Sequence, residues 1–366
     1  MSYNWQHKNW PDFQYDPSVV ENIAMDFAME SSEVKGIVDG LPAEYQQETI
    51  LEFMINEAIK TSEIEGEFYS RKDVMSSIKK RLGIHSKFDV IRDKKARGIA
   101  ELMVEVRQNY STPLSENLIK KWHKIVFENS IKINQGKYRT GTDPMQIISG
   151  RIGNEDIHFE APASENVPQE MKQFVFWYNQ NKITPRDLKN NLIKTSISHL
   201  YFESIHPFED GNGRIGRAIA EKCLAESLGQ PVIMSLSTAI ENDKSAYYQA
   251  LKTAQKSMEV TEWIYYFSQV IRDAQEQGKN LIQFTLKKTK FLDKYKSALN
   301  ERQEKVVLKL LDYGIDGFEG GMSARKYKAI AKTSKATATR DLNELVKKGV
   351  LKSKGAGRGT HYELDL

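Results

Sequence analysis

Twelve consecutive residues, HPFEDGNGRIGR from His206 to Arg217, combine an imidazole, two acids, two glycines about an asparagine, and two arginines. Gly211 and Gly213 permit backbone conformations in which successive N–H groups converge as an anion nest. A helix starting at about Gly213 adds the positive potential of its own N-terminus. Arg214 and Arg217 stand three apart on that helix, so both guanidiniums project to one side and can grip phosphate oxygens. Asp210, facing a bound polyphosphate, suits Mg²⁺, which is usually held by one or two carboxylates plus phosphates. His206 at the rim is placed to take a proton from an incoming hydroxyl. Base, metal ligand, anion cradle and charge clamp are the parts of a phosphoryl- or nucleotidyl-transfer site.

The elements that must position these residues read mostly as helix. EYQQETILEFMINEAIKTSEIEG carries Leu51, Met54, Ile55, Ala58 and Ile59 at helical spacing and ends at Gly66. LSENLIKKWHKIVF is capped by Ser115 and carries Leu118, Trp122 and Ile125 on one face. Leu188–Ile205 and Gly213–Gly229 predict two helices flanking the motif, the first ending near His206 because Pro207 disfavours helix there. TEWIYYFSQVIRDAQEQ continues the helical pattern. Residues 144–162 differ: Gln146–Ile148 and Ile157–Phe159 favour strand around a Gly/Asn-rich turn, which predicts a β-hairpin. The last 67 residues or so read helix, helix, turn, helix, strand, Gly-rich tip, strand, the order of a winged helix-turn-helix.

The 366 residues, 40% of them hydrophobic, suffice for two or three domains. The single cysteine, Cys223, excludes an internal disulfide framework and a cysteine-based zinc site, and fits a reducing, cytoplasmic setting. No apolar run reaches the length of a membrane span and no leader pattern opens the sequence, so a soluble protein away from membranes is expected. The net charge of +4 is uneven: from Thr285 onward 19 Lys and Arg face 10 Asp and Glu, a +9 segment that leaves −5 for the rest. Lys332, Lys335, Arg340 and Arg358 in that segment suit phosphates, but winged helices serve equally as protein-docking or dimerisation modules. His123, His158 and His199 have no metal-type spacing and read as packed or hydrogen-bonded histidines.

The twelve-residue motif resembles the Fic (Fic/Doc) signature HxFx[DE]GNGRxxR at every specified position. The resemblance covers roughly Leu114 to Ala274 and extends more weakly to the N-terminal WQHKNWPDF. It implies a mainly α fold: a helical core with a β-hairpin flap, an N-terminal helical extension and a C-terminal winged helix-turn-helix. The divisions expected are 1–110, 111–278 and 279–366. It implies transfer of AMP from ATP to a Ser, Thr or Tyr hydroxyl of a protein, with ATP and Mg²⁺ required. His206 would be the base, Asp210 the Mg²⁺ ligand, and Gly211, Asn212 and Gly213 the α/β-phosphate cradle, with Ile215 and Gly216 following in the same stretch. Arg214 and Arg217 would hold the β- and γ-phosphates, and Phe208 would be a packing anchor. Flap residues 144–162, Ile148 and Ser149 included, would hold a target backbone as an added strand. Tyr247 and Tyr248 resemble paired tyrosines beside the nucleotide base; Gln255 stands where relatives often have Asn.

TSEIEG, Thr61 to Gly66, matches the same family's inhibitory pattern [ST]xxxE[GN] through Thr61, Glu65 and Gly66. The resemblance implies that Glu65 pairs with Arg217. A carboxylate gripping that guanidinium bidentately competes with the γ-phosphate, so ATP is bound askew or excluded. Three outcomes therefore stand open from sequence: an autoinhibited protein adenylyltransferase, an enzyme that removes AMP at the same site, and a DNA-binding regulator whose core senses nucleotide. A homodimer and DNA on the winged helix remain among the partners.

Overall fold

The computed structural model describes residues 2–84, 93–128, 130–151, 154–181, 184, 187–311, 313–314 and 317–366, the side chains of 148–151, 154–156 and 358 excepted. It is mainly helical and separates into two compact units, 1–39 with 50–278 and 40–49 with 279–366. Two of the three boundaries fall within long helices, Ala43–Ile64 and Thr261–Tyr295, whose residues are therefore divided between the units.

The elements of the first unit run α1 Glu21–Asp39, α2 Ala43–Ile64, α3 Arg71–Arg81, α4 Lys94–Gln108 and α5 Glu116–Phe127. A hairpin of β1 Gln146–Arg151 and β2 Asn154–Glu160 follows, then α6 Val167–Gln180, α7 Leu188–Ile205 and α8 Asn212–Leu228. α9 Leu236–Asn242, α10 Lys244–Ala254 and α11 Thr261–Tyr295 complete the run. Ser115 caps α5 as expected, accepting the Leu118 N–H at 3.1 Å. The hairpin is antiparallel, with a register shift between Ile147 and Ile148, and its strands outrun the expected triplets. No helix among the described residues is long and apolar enough to cross a membrane.

The centre of this unit is α7, buried at every position from Asn191 to Ile205. A helix enclosed all round has no wet face and hence no amphipathic stripe. Its polar side chains are absorbed locally: Ser196 donates to Leu192 O at 2.8 Å, and Trp263 reaches across from α11 to donate to Ser196 O at 2.8 Å. α8 packs along α7 through Ile215, Ile219 and Leu224, all fully buried. The aromatic N-terminal segment is stitched onto this pair. Asn4 donates through its side chain to Ser204 Oγ at 2.8 Å and through its backbone to Gln255 O at 2.8 Å. Gln14 exchanges backbone bonds with Met258 and Val260, and Trp10 packs edge-on against Tyr201.

The second unit contains α12 Glu301–Leu311, α13 Ala324–Ala331, α14 Lys335–Lys347 and an antiparallel hairpin, β3 Leu351–Lys354 with β4 His361–Leu364. Val306, Leu310, Leu342, Leu345 and Val350 form its core. Asp341, almost fully buried, accepts from Arg302 Nε at 3.1 Å and Tyr327 Oη at 3.0 Å, which ties the three helices together. Lys332, Lys335 and Arg340 are exposed, whereas the Arg358 side chain lies outside the described residues.

Candidate active site

α7 stops at Ile205, and His206 closes it in the left-handed region, φ 49° and ψ 61°, with its N–H on Phe202 O at 3.0 Å. A non-glycine residue there carries strain that its surroundings must outweigh. Arg139 supplies the restraint. Its guanidinium donates to His206 O at 2.8 Å, Ile205 O at 3.3 Å, Pro162 O at 2.5 Å and Ser164 Oγ at 2.9 Å. A cation on the exposed carbonyls of a helix C-terminus is also electrostatically favoured. Burial, then Arg139, pushes the His206 pKa down to about 4, so the imidazole is neutral at pH 7.

The loop from 207 to 212 is fixed from inside. Asn212 accepts the Phe208 N–H at 2.9 Å and donates to Phe208 O at 2.8 Å, so its amide shapes the loop and leaves the cradle to the backbone. Phe208 is fully buried and stacks on His123 at 4.0 Å between centroids. His123 accepts the Gly136 N–H on Nδ1 at 2.9 Å, which leaves Nε2–H to donate to Asp210 O at 3.1 Å. Its role is structural, as its spacing implied. Gly211 sits at φ +82°, where any side chain would strike Phe127. Asp210 has 55% of its side chain exposed, and its Oδ1 accepts the Gly211 N–H at 2.5 Å. Oδ1 also accepts from Arg214 Nη2 at 3.3 Å, and a half-exposed carboxylate beside a phosphate cradle fits a Mg²⁺ ion completed by phosphates and water.

α8 then presents its first turn. Ile215 turns into the core and Gly216 packs on Glu203 and His199, so neither offers a side chain to a ligand. Arg214 and Arg217 are buried, at 3% and 1% exposure, and both are engaged. Arg217 donates from Nη2 to Glu65 Oε1 at 2.7 Å and to Thr61 O at 2.8 Å, and from Nε to Thr61 Oγ1 at 2.8 Å. The contact with Glu65 is monodentate, through Nη2 alone, and Thr61 takes the Nε that a side-on bidentate grip would use. Burial opposes the Arg217 charge, but Glu65 outweighs it and the guanidinium is held protonated. A Cβ on Gly213 would collide with Glu65 Oε1, so the carboxylate lies directly on the first turn of α8. That is where a helix N-terminus attracts an anion.

The turn that delivers Glu65 is a Schellman cap. The Glu67 N–H bonds Ser62 O at 2.9 Å and the Gly66 N–H bonds Glu63 O at 2.9 Å, with Gly66 at φ +77°. Glu65 is thus the last residue of the helical path and Glu67 the second beyond it. Glu67, which the sequence did not single out, accepts from Arg214 Nη1 at 2.6 Å and Lys95 Nζ at 2.9 Å, and also from the Tyr69 hydroxyl. The same turn therefore carries a carboxylate for each motif arginine. The only signal in the sequence was the spacing of acids about Gly66.

Of the paired tyrosines, Tyr247 is buried with its hydroxyl 2.7 Å from His199 Nε2, while Tyr248 keeps 42% of its surface exposed. Only Tyr248 is open to a ligand. Gln255 is buried and donates to Glu203 O at 3.2 Å, a structural role. Ile148 and Ser149 lie in β1, backbone-paired with Ile157 and Asp156; their side chains lie outside the described residues. Among the described residues no cluster of three His, Cys, Asp or Glu is placed to hold a metal.

Residues 113–224 match the Fic/DOC family, and residues 3–84 match a domain of unknown function, DUF4172. The chain is 29% identical over 136 residues to protein adenylyltransferase fic-1 of Caenorhabditis elegans, across 37% of this chain and 23% of that one. It is 33% identical over 99 residues to a probable protein adenylyltransferase, aq_aa38, of Aquifex aeolicus (strain VF5), 27% of each chain. It thus spans about a quarter of the length of these curated relatives. In fold it resembles the crystal structure of a Fic family protein from Desulfovibrio desulfuricans G20, with a TM-score of 0.56 at 17% identity over 97% of this chain and 98% of that one. A Fic domain containing signaling protein from Bacteroides thetaiotaomicron VPI-5482 aligns with a TM-score of 0.53 at 19% identity, over 72% and 97%.

Proposed function

The chain carries a Fic/DOC domain with a DUF4172 region ahead of it, and from that premise we propose that it is an autoinhibited protein adenylyltransferase. The observation that carries this reading is the convergence, at the start of α8, of a neutral imidazole, a glycine-lined anion site and two arginines held by acids of one turn. A bound nucleotide triphosphate would lay its phosphates on the backbone of Gly211–Gly213 and the guanidiniums of Arg214 and Arg217. Asp210 would hold Mg²⁺, whose charge offsets that of the phosphates. His206, uncharged and fixed by Arg139, takes the proton of a target Ser, Thr or Tyr hydroxyl. The freed oxygen attacks the α-phosphorus, the bond to the bridging oxygen breaks, and pyrophosphate leaves. The flap 144–162 receives the target backbone as an added strand, and Tyr248 faces the base.

Glu65 restrains this activity by standing where the γ-phosphate must reach Arg217. The test uses ATP labelled at the α- or the γ-phosphate. The Glu65→Gly chain should label protein from the α position only, well above the unsubstituted chain, and His206→Ala in that background should abolish labelling. Labelling that persists in His206→Ala, or fails to rise in Glu65→Gly, refutes the proposal. Release of AMP from labelled protein by the unsubstituted chain but not by Glu65→Gly would assign removal in place of transfer.

A further inference from the structure

Among the described residues four acids are buried: Glu57, Glu105, Glu203 and Asp341. Three have partners that account for them. Glu57 accepts from Ser235 at 2.8 Å, the Ser237 N–H at 2.9 Å and the Ser237 hydroxyl. Glu105 is paired with Lys121 at 2.5 Å, and Asp341 with Arg302 and Tyr327. Glu203 differs. Its Oε1 has no hydrogen-bond partner although the residue is only 4% exposed. An unpaired buried carboxyl is costly, and in a folded protein it calls for an explanation.

Glu203 lies on α7 one turn before His206, and its Oε2 is 3.9 Å from His206 Nδ1. That nitrogen is itself buried and without a partner. The space for the carboxyl comes from Gly216, where any Cβ would collide with Glu203 Oε1 and lie 3.2 Å from His199 Cε1. The unpartnered Nδ1 thus lies beside one oxygen of the Glu203 carboxyl, while the other, unpartnered oxygen fills a recess kept open by Gly216.

We infer that Glu203 is a positioning residue for His206, forming a carboxylate–imidazolium pair when the base takes the substrate proton. The inference rests on His206 acting as the base. Before the step, His206 carries its single proton on Nδ1, toward Glu203, and presents the Nε2 lone pair to the hydroxyl. The hydroxyl proton passes to Nε2. The ring becomes cationic, and Nδ1–H closes on Glu203 Oε2 without a proton passing to it. Catalytic hydrogen bonds are commonly long before substrate binds and tighten in the reacting complex.

Glu203 must be ionised for this, and its surroundings set when that happens. Burial first, then Glu65, pushes its pKa up to about 8, while Arg217 works in the opposite direction. The groups facing the pair are His199 on α7, Arg217 on α8, Tyr247 and Tyr248 on α10, Glu65 beyond α2, and Arg139. Departure of Glu65 therefore does two things: it frees Arg217, and it removes one of the two influences that keep Glu203 protonated.

The test compares Glu65→Gly with Glu65→Gly/Glu203→Gln and Glu65→Gly/Glu203→Asp across pH 6 to 9. Glu203→Gln should lower kcat for AMP transfer by about 10- to 100-fold with the KM for ATP within about twofold, as for other outer-shell partners. It should also abolish the rise in rate with pH that accompanies ionisation of Glu203, and Glu203→Asp should restore part of both. A Glu203→Gln profile superimposable on the parent, or a loss confined to KM, overturns the inference. Nitrogen-15 NMR of the histidine rings in the unsubstituted chain gives a readout independent of turnover. The His206 ring signals should shift as Glu203 ionises, and this shift should vanish in Glu203→Gln. An identical shift in both, or none in either, also overturns it. Transfer that survives His206→Ala refutes the functional reading itself; transfer that dies there while Glu203→Gln behaves as the parent refutes this inference alone.

Discussion

Replacing Glu65 by glycine should weaken the resting fold and strengthen nucleotide binding by the same amount. The substitution removes one charge-assisted bond, Arg217 Nη2 to Glu65 Oε1 at 2.7 Å, from a guanidinium that is 1% exposed. Such bonds contribute about 1.5–3 kcal/mol net. Little else changes, since the position follows the last turn of α2 and the Thr61 oxygens still accept two Arg217 bonds. Without nucleotide the first unit should therefore lose about 1.5–3 kcal/mol, a fall of roughly 3–12 °C in melting temperature for a unit of this order of size. The same contact no longer opposes the γ-phosphate, so the Kd for a non-hydrolysable ATP analogue with Mg²⁺ should fall by about 10- to 160-fold. Scanning fluorimetry with and without the analogue reads both quantities, because ligand binding raises the melting temperature by a concentration-dependent increment. A variant that loses stability while binding the analogue no better would make Glu65 a packing residue and refute the competition.

Gly66→Ala should raise labelling about 5- to 30-fold over the unsubstituted chain. Its φ of +77° costs an L-residue about 1–2 kcal/mol, a Cβ there meets nothing within 4 Å, and the turn holds Glu65 and Glu67 together. Arg139→Lys should lower stability by about 2–4 kcal/mol in a denaturant melt, because an ammonium cannot span the four acceptors about His206. Burial holds His123, His199 and His206 neutral to about pH 4, 3 and 4 against 6.5 when unfolded; burial beside Glu65 holds Glu203, and partial burial beside Glu57 holds Glu221, protonated to about pH 8 against 4.5. From pH 6.5 to 4.5 three imidazoles outweigh two carboxyls and stability falls by about 1.4 kcal/mol per pH unit; from 6.5 to 8 the carboxyls alone make it fall as pH rises, so the melting temperature should peak near pH 6.5.

The motif's helix–loop–helix setting was legible in sequence because its signals are local. Pro207 ends α7, Gly211 and Gly213 open the next helix, and Gly66 ends the path of α2. Glu67 escaped notice because its importance depends on how the Schellman turn meets a helix about 150 residues away. Arg139 acts 67 residues from His206, and nothing in its neighbourhood announces that partnership. Glu203 was hidden for another reason: α7 is enclosed on every side, so its pattern gives no face on which an acid would look out of place. The bidentate grip expected of Glu65 on Arg217 is monodentate, and Thr61 shares the same guanidinium through Nε.

The stitching of residues 4–14 onto α7 and the 255–260 segment bears on how this protein can be taken apart. The two regions matched to known families, 3–84 and 113–224, do not correspond to separable pieces of the first unit. A fragment beginning at residue 113 would discard Thr61 and Glu65, but it would also strip Trp10 from Tyr201 and bare the helix that ends at His206. The turn that carries Glu65 and the packing that covers α7 are therefore lost in the same cut. On the proposed reading, removing Glu65 by trimming the chain would also uncover α7, whereas a change confined to the few residues about Gly66 would leave that packing in place.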